Sequence, residues 1–146
     1  MKKAQWDLFF EEKMKQIFQE KKKIVDIGGG LRVLKEKGNR FDPRRAWISE
    51  YLDKVDYKIV DPVPDYKPDI IGDIHDLPFE EDSLDAIICI AVLEHVENPF
   101  KAFAEMYRVL KKGDIALFMC LLFIFITLRP DIMAIFGVLL KMGSDI

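Results

Sequence analysis

The chain has 146 residues, half of them hydrophobic and 32% charged, which is enough for one domain with a buried core and excludes a disordered tail. A formal net charge of −3 gives no electrostatic case for a nucleic-acid partner. Cys89 and Cys120 both lie in apolar runs, which excludes a disulfide framework and a metal-ligand spacing; charges interrupt the start of the chain, so no signal peptide is expected, and a cytoplasmic setting follows.

Trp6, Phe10, Met14 and Ile17 recur at helical spacing among lysines and glutamates, so residues 1–23 read as an amphipathic helix with one packed face. The Lys21-Lys22-Lys23 run reads as its solvated end. Ile24-Val25-Asp26-Ile27 is a short strand closed by Gly28-Gly29-Gly30, and Leu31–Lys37 predicts a short helix stopped by Gly38-Asn39. Asp42-Pro43 opens another helix, with Ile48, Tyr51, Leu52 and Val55 on its buried face. Tyr57–Val60 is a second strand ended by Asp61-Pro62, and Ile70-Ile71 is a third, followed by Gly72-Asp73. Ala86–Val92 shows no polar alternation, as expected of a strand covered on both faces of a parallel sheet. Asn98-Pro99 starts a helix with Phe100, Phe103, Tyr107 and Leu110 inward, ended by Lys111-Lys112-Gly113; a fifth strand begins at Ile115. Strands alternating with helices predict an open α/β sheet built by crossovers.

Such sheets bind ligands at the carboxyl ends of their strands. Four strand ends here carry suggestive residues: Asp26 with Gly28–Gly30, Asp61, Asp73-Ile74-His75, and Ala91 followed by Glu94-His95. Glycines permit positive φ and close approach of backbone to a ligand, or simply a tight turn. Asp61 is suited to accept bonds from both hydroxyls of a ribose, or to be a turn residue before Pro62. Asp73 reads as a ligand contact or a turn cap. Asp26 reads as a partner of loop amides or of the cationic side of a ligand. His95 reads as a base near an acceptor or as packing beside the helix at Asn98. The dinucleotide fingerprint G-x-G-x-x-G needs a glycine where Val33 stands, and nothing near Asp26 compensates a phosphate. A nicotinamide oxidoreductase is therefore disfavoured against a ligand with a ribose, a cationic centre and no phosphate.

The ordered set resembles the class I S-adenosylmethionine-dependent methyltransferases, and within them the type 11 methyltransferase domain, over roughly residues 23–114. Ile24–Gly30 is similar to the first motif of that family. Asp61 matches its ribose-binding acid, Gly72–Phe79 its adenine segment, and Ser83–Ile88 with Val92–Val96 its fourth motif. Arg108–Gly113 resembles the lead into its fifth strand. The resemblance implies a Rossmann-like, mostly parallel sheet with S-adenosyl-L-methionine as cofactor and methyl transfer to an acceptor that the residues do not name. It implies cofactor binding by Asp26, Gly28, Gly29, Gly30, Asp61, Asp73, Ile74 and Ala91. Neither a metal nor an obligatory catalytic dyad is implied, because the sulfonium already activates the methyl group; His95 is the one weak catalytic candidate. A binding-only remnant of the same fold, without its acceptor side, is the alternative.

Three features depart from the pattern. Arg32 stands where a third glycine is often found, the helix after the first motif is short, and strands six and seven have no recognisable counterpart. Residues 24–119 read as the cofactor-binding core and 120–146 as an atypical apolar tail. Only Arg129, Asp131, Lys141 and Asp145 carry charge after residue 114. The uncharged run Ile115–Leu128 has 14 residues, short of the roughly 20 that span a bilayer. A membrane helix is thus not expected, though an interfacial segment stays open. The fifth strand would be an unprotected apolar edge that favours aggregation. The expectation for 114–146 is a frameshifted reading of a methyltransferase C-terminus. Joining the last base of each codon to the first two of the next allows Gly-Tyr-Cys-x-x-Tyr-Val-Pro after Gly113, and later Gly-x-x-Trp-Arg-Phe. Sequencing the coding DNA across codon 113 tests this.

Overall fold

Short β-branched runs bounded by glycine, proline and aspartate form strands, and the amphipathic stretches between them cover the resulting sheet. The computed structural model describes residues 5–36, 41–119 and 124–128. The elements are α1 (Gln5–Glu20), β1 (Lys23–Ile27), a 3-10 turn (Pro43–Ile48) running into α2 (Ser49–Leu52), β2 (Asp56–Asp61), β3 (Ile70–Ile71), β4 (Leu84–Ile90), α3 (Pro99–Val109), β5 (Leu110–Met119) and β6 (Ile124–Leu128). The sheet order is β3-β2-β1-β4-β5-β6. The first five strands pair in parallel, as expected.

Alternate residues of the central strands feed two cores. Val25, Ile27, Ile87 and Cys89 face α3, while Ile24, Ala86, Ile88 and Ile90 face α1 and Ile48. Because side chains alternate along a strand, a β4 buried over nearly its whole length needs cover on both faces, which it has. From α1, Phe10, Met14, Ile17 and Phe18 are buried, matching the expected stripe; the side chain of Trp6 lies outside those described.

Several expectations are corrected. Leu31–Glu36 forms no α-helix, because Arg32 takes φ 54° and breaks the turn; Lys37 and the Gly38-Asn39 stop lie outside the described residues. The inward stripe of α3 is Ala102, Met106 and Val109, with Phe103 and Tyr107 at its margin and Phe100 on the surface. Leu110 belongs to β5, and Lys111–Gly113 form an irregularity within that strand, with Gly113 at φ 80° and the register shifted between Leu84 and Ala86. Lys21 is not left to solvent: its Nζ lies 2.6 Å from Asp114 Oδ1. Lys22 and Lys23 donate their backbone N–H groups to Asp85 Oδ2, at 3.1 and 2.8 Å.

The edge of β5 is also not bare. β6 pairs with it antiparallel from Ile115↔Leu128 to Met119↔Ile124. The rest of the 120–146 stretch, Cys120 included, lies outside the described residues. Among the described residues no helix is long and apolar enough to cross a membrane, and no group of three or more acidic, cysteine or histidine side chains is arranged to hold a metal ion.

Candidate functional site

The strand order reverses direction between β1 and β4, and the crevice outside the strand ends at such a point is where open α/β sheets take ligands. A cleft of about 460 Å³ opens there. Gly28, Asp61, Asp73, Ile74, Ala91 and His95 all line it. Six of the candidate residues, drawn from four different strand ends, are therefore brought together. Asp26, Gly29 and Gly30 are not part of this lining; Gly29 borders a smaller recess beside Asp61 and Tyr66.

The glycine turn is shaped by its neighbours in the protein. Gly28 and Gly29 take φ 77° and 60°. A Cβ on Gly28 would lie 2.5 Å from Val92 Cγ2, and one on Gly30 would lie 2.6 Å from Ile90 Cβ and 2.7 Å from its carbonyl oxygen. The missing side chains thus let the end of β4 pass over the turn. The Gly28 N–H donates to Val60 O at 2.7 Å, which fixes the turn against the end of β2.

Asp26 lies fully buried behind the turn. Its Oδ2 accepts from Tyr57 Oη at 2.6 Å and from the Leu31 N–H at 3.1 Å, so the loop-amide contact expected of this residue is made. Oδ1 has no hydrogen-bond partner. Burial pushes the carboxyl up to about 6, with the Tyr57 hydroxyl and loop amides opposing it. The same burial, with the Asp26 charge beside it, drives the Tyr57 phenol well above its ordinary value.

Asp61 ends β2 almost fully buried, and its Oδ1 accepts the Val63 N–H at 2.8 Å. That bond holds the carboxylate in place ahead of Pro62 while the side chain lines the cleft. After β3, Asp73 is exposed, and its Oδ1 accepts both the His75 N–H at 2.8 Å and His75 Nδ1 at 2.6 Å. These contacts hold the Asp73 carboxyl below the usual carboxylate range. Ile74, buried between them, supplies an apolar shelf.

The fourth strand end is conformationally strained. Ala91 sits at φ 55°, a region that costs an L-residue roughly 1–2 kcal/mol, and its N–H donates to Met119 O at 2.7 Å. The chain then enters a 3-10 turn, Leu93–His95, which leaves His95 exposed at the cleft wall.

Sequence reasoning missed the supports. Arg45 Nη1 donates to Gly30 O at 2.5 Å, and its guanidinium lies 4.9 Å from the ring centre of Phe10 in α1. Glu105 Oε2 accepts the Leu77 N–H at 2.9 Å, while Arg108 donates to Phe79 O and Leu77 O at 2.8 and 3.0 Å. No local pattern announces these bonds, since their partners lie 15 to 31 residues away.

The donor set discriminates among ligands. Among the described residues no lysine or arginine lines the cleft, while three carboxylates do, Asp61, Asp73 and Glu97. That suits hydroxyl and amine donors and a cationic centre, and does not suit a pyrophosphate. The volume lies in the range of small-molecule sites, roughly 300–1,000 Å³.

Residues 49–118 match the family described as a methyltransferase domain. The chain is 30% identical over 99 residues to 2-methyl-6-phytyl-1,4-hydroquinone methyltransferase 1 of Oryza sativa subsp. japonica, covering 64% of this chain and 29% of that protein. A protein from Methanococcus maripaludis assigned to the S-adenosyl-L-methionine-dependent methyltransferases superposes with a TM-score of 0.52 at 21% identity, over 75% of this chain and 52% of that one. An S-adenosylmethionine-dependent methyltransferase from Aquifex aeolicus gives 0.51 at 16% identity, over 73% and 61%. The matches extend over less than a third of the curated relatives' length and about half to three-fifths of these solved chains.

Proposed function

We propose that this chain, matched over residues 49–118 by the family described as a methyltransferase domain, is a class I S-adenosylmethionine-dependent methyltransferase domain whose cleft binds S-adenosylmethionine for methyl transfer to an acceptor still to be identified. The observation that carries the reading is the convergence of Asp61, Asp73, Ile74 and the Gly28 turn on one cleft free of cationic side chains among the described residues. When bound, the cofactor supplies a methyl group on a positively charged sulfur, with a neutral thioether as leaving group.

The protein's contribution is orientation and exclusion of water. Asp61 accepts from the ribose hydroxyls, its carboxylate already steadied by the Val63 amide. Asp73 accepts from the adenine amine while Ile74 packs on the ring. Gly28, Gly29 and Gly30 shape the methionine end, with Asp26 acting through the loop by its bond to the Leu31 amide. Ala91 forms the floor under the donor, and Val92 and Val96 present apolar surface to the reacting end. His95, exposed on that wall, is the one histidine on the β4 side that can take a proton at a ring nitrogen from an acceptor.

Parallel calorimetric titrations with S-adenosylhomocysteine and with NAD test the reading. Binding of the first and not the second is expected. Saturable binding of NAD, or none of S-adenosylhomocysteine, overturns it.

A further inference from the structure

The segment after β3 is tied to α3 at two places. At the rear, Glu105 and Arg108 hold the backbone of Leu77 and Phe79. At the front, one side chain makes the link. His75 Nδ1 lies 2.6 Å from Asp73 Oδ1, and its Nε2 lies 3.2 Å from the Asn98 backbone N–H. A backbone amide can only donate, so Nε2 carries the lone pair; an ionised carboxylate can only accept, so the proton sits on Nδ1. The two partners together select the neutral Nδ1-protonated ring. Asn98 is itself fixed, since its Oδ1 caps α3 by accepting the Lys101 N–H at 3.1 Å.

We infer that His75 is a positioning residue for the adenine end of the cleft, holding the Asp73 carboxylate by its ring while anchored through Asn98 to the start of α3. The inference rests on the cofactor reading above. Asp73 needs such a holder because it is exposed and stands in a tight turn closed by the Asp76 N–H to Asp73 O bond of 3.0 Å. Both His75 contacts fall on the same oxygen, Oδ1, which orients the carboxylate. The rear clamp touches only Leu77 and Phe79 and cannot set the Asp73 side chain. Loss of the ring therefore leaves the segment folded and leaves the group that reads the exocyclic amine on the His75 N–H alone, without the ring contact that fixes its orientation.

The test compares S-adenosylhomocysteine with S-inosylhomocysteine, which carries a 6-oxo group in place of the amine, by calorimetry on wild type, Asp73→Ala, His75→Ala and His75→Asn. Wild type is expected to prefer the adenine form by about tenfold or more, the worth of one good hydrogen bond to a charged group. His75→Ala is expected to fall to the small preference of Asp73→Ala, while still binding both ligands through the ribose. His75→Asn, whose amide nitrogen occupies the place of Nδ1, is expected to recover most of the preference. Unchanged preference in His75→Ala overturns the inference. So does an equal weakening toward both ligands, which marks a merely structural role. Wild type that binds neither ligand overturns the cofactor reading itself, and the inference with it.

Discussion

Asp26 on β1 and Tyr57 on β2 share a hydrogen bond of 2.6 Å between adjacent parallel strands, with the Asp26 carboxyl fully buried and Tyr57 half-buried. The bond joins the residue that holds the glycine turn to the strand that ends in Asp61. It leaves Asp26 Oδ1 without a partner, so the carboxylate form is only half satisfied.

Stability should therefore fall as pH rises through this group. A carboxyl at about 6 when folded and 3.8 when unfolded binds its proton more tightly in the folded state. Its stabilising contribution is full below pH about 4 and is gone above about 6, a change on the order of 3 kcal/mol. Asp26→Asn removes the titration. Urea midpoints at pH 4, 5, 6 and 7 should show the variant gaining on wild type along that range; a constant difference would refute the assignment.

Gly30→Ala should destabilise the fold by about 2–4 kcal/mol, because the new methyl meets the Ile90 backbone carbonyl, which cannot rotate away. Thermal unfolding measures it. A variant as stable as wild type means that the end of β4 does not pass as close to the turn as 2.7 Å.

Asp61→Ala should weaken S-adenosylhomocysteine binding by about 1–3 kcal/mol, the range for a charge-assisted hydrogen bond. Equal affinities by calorimetry would remove Asp61 from the ribose.

Ala91→Gly should raise stability by roughly 0.5–1 kcal/mol, since relief at φ 55° outweighs the added freedom of the unfolded chain. A loss of stability in chemical denaturation would show that Ala91 is not strained.

Much of this architecture was legible before any coordinates. Apolar runs bounded by Gly28, Asp61-Pro62 and Gly72-Asp73 mark three of the parallel strands, because hydrophobic burial and turn chemistry are local signals. The same strand ends supplied Gly28, Asp61, Asp73 and Ile74 of the cleft, and the end of β4 supplied Ala91 and His95. What failed was non-local. Arg32 leaves the helical region in a turn whose Leu31 amide is tethered to Asp26. The stripe of α3 was misphased because large aromatics outweighed small Ala102, and only contact with the sheet decides which stripe turns inward. His75 joins Asp73 to Asn98, 23 residues beyond the histidine, a distance no periodicity encodes.

The Arg45 bridge has an optical consequence. Its guanidinium links Gly30 O to the ring of Phe10, and Trp47, two residues along the same 3-10 turn, stands edge-on to Tyr51 at 6.2 Å with the Lys15 ammonium 5.5 Å from its ring centre. A half-buried indole beside a cation emits according to the local field, so any tightening of the glycine turn that pulls on Arg45 should register in its fluorescence. The chain has two tryptophans. In a Trp6→Phe background Trp47 becomes the sole indole, a lamp mounted behind the cleft that reads its occupancy without touching what it holds.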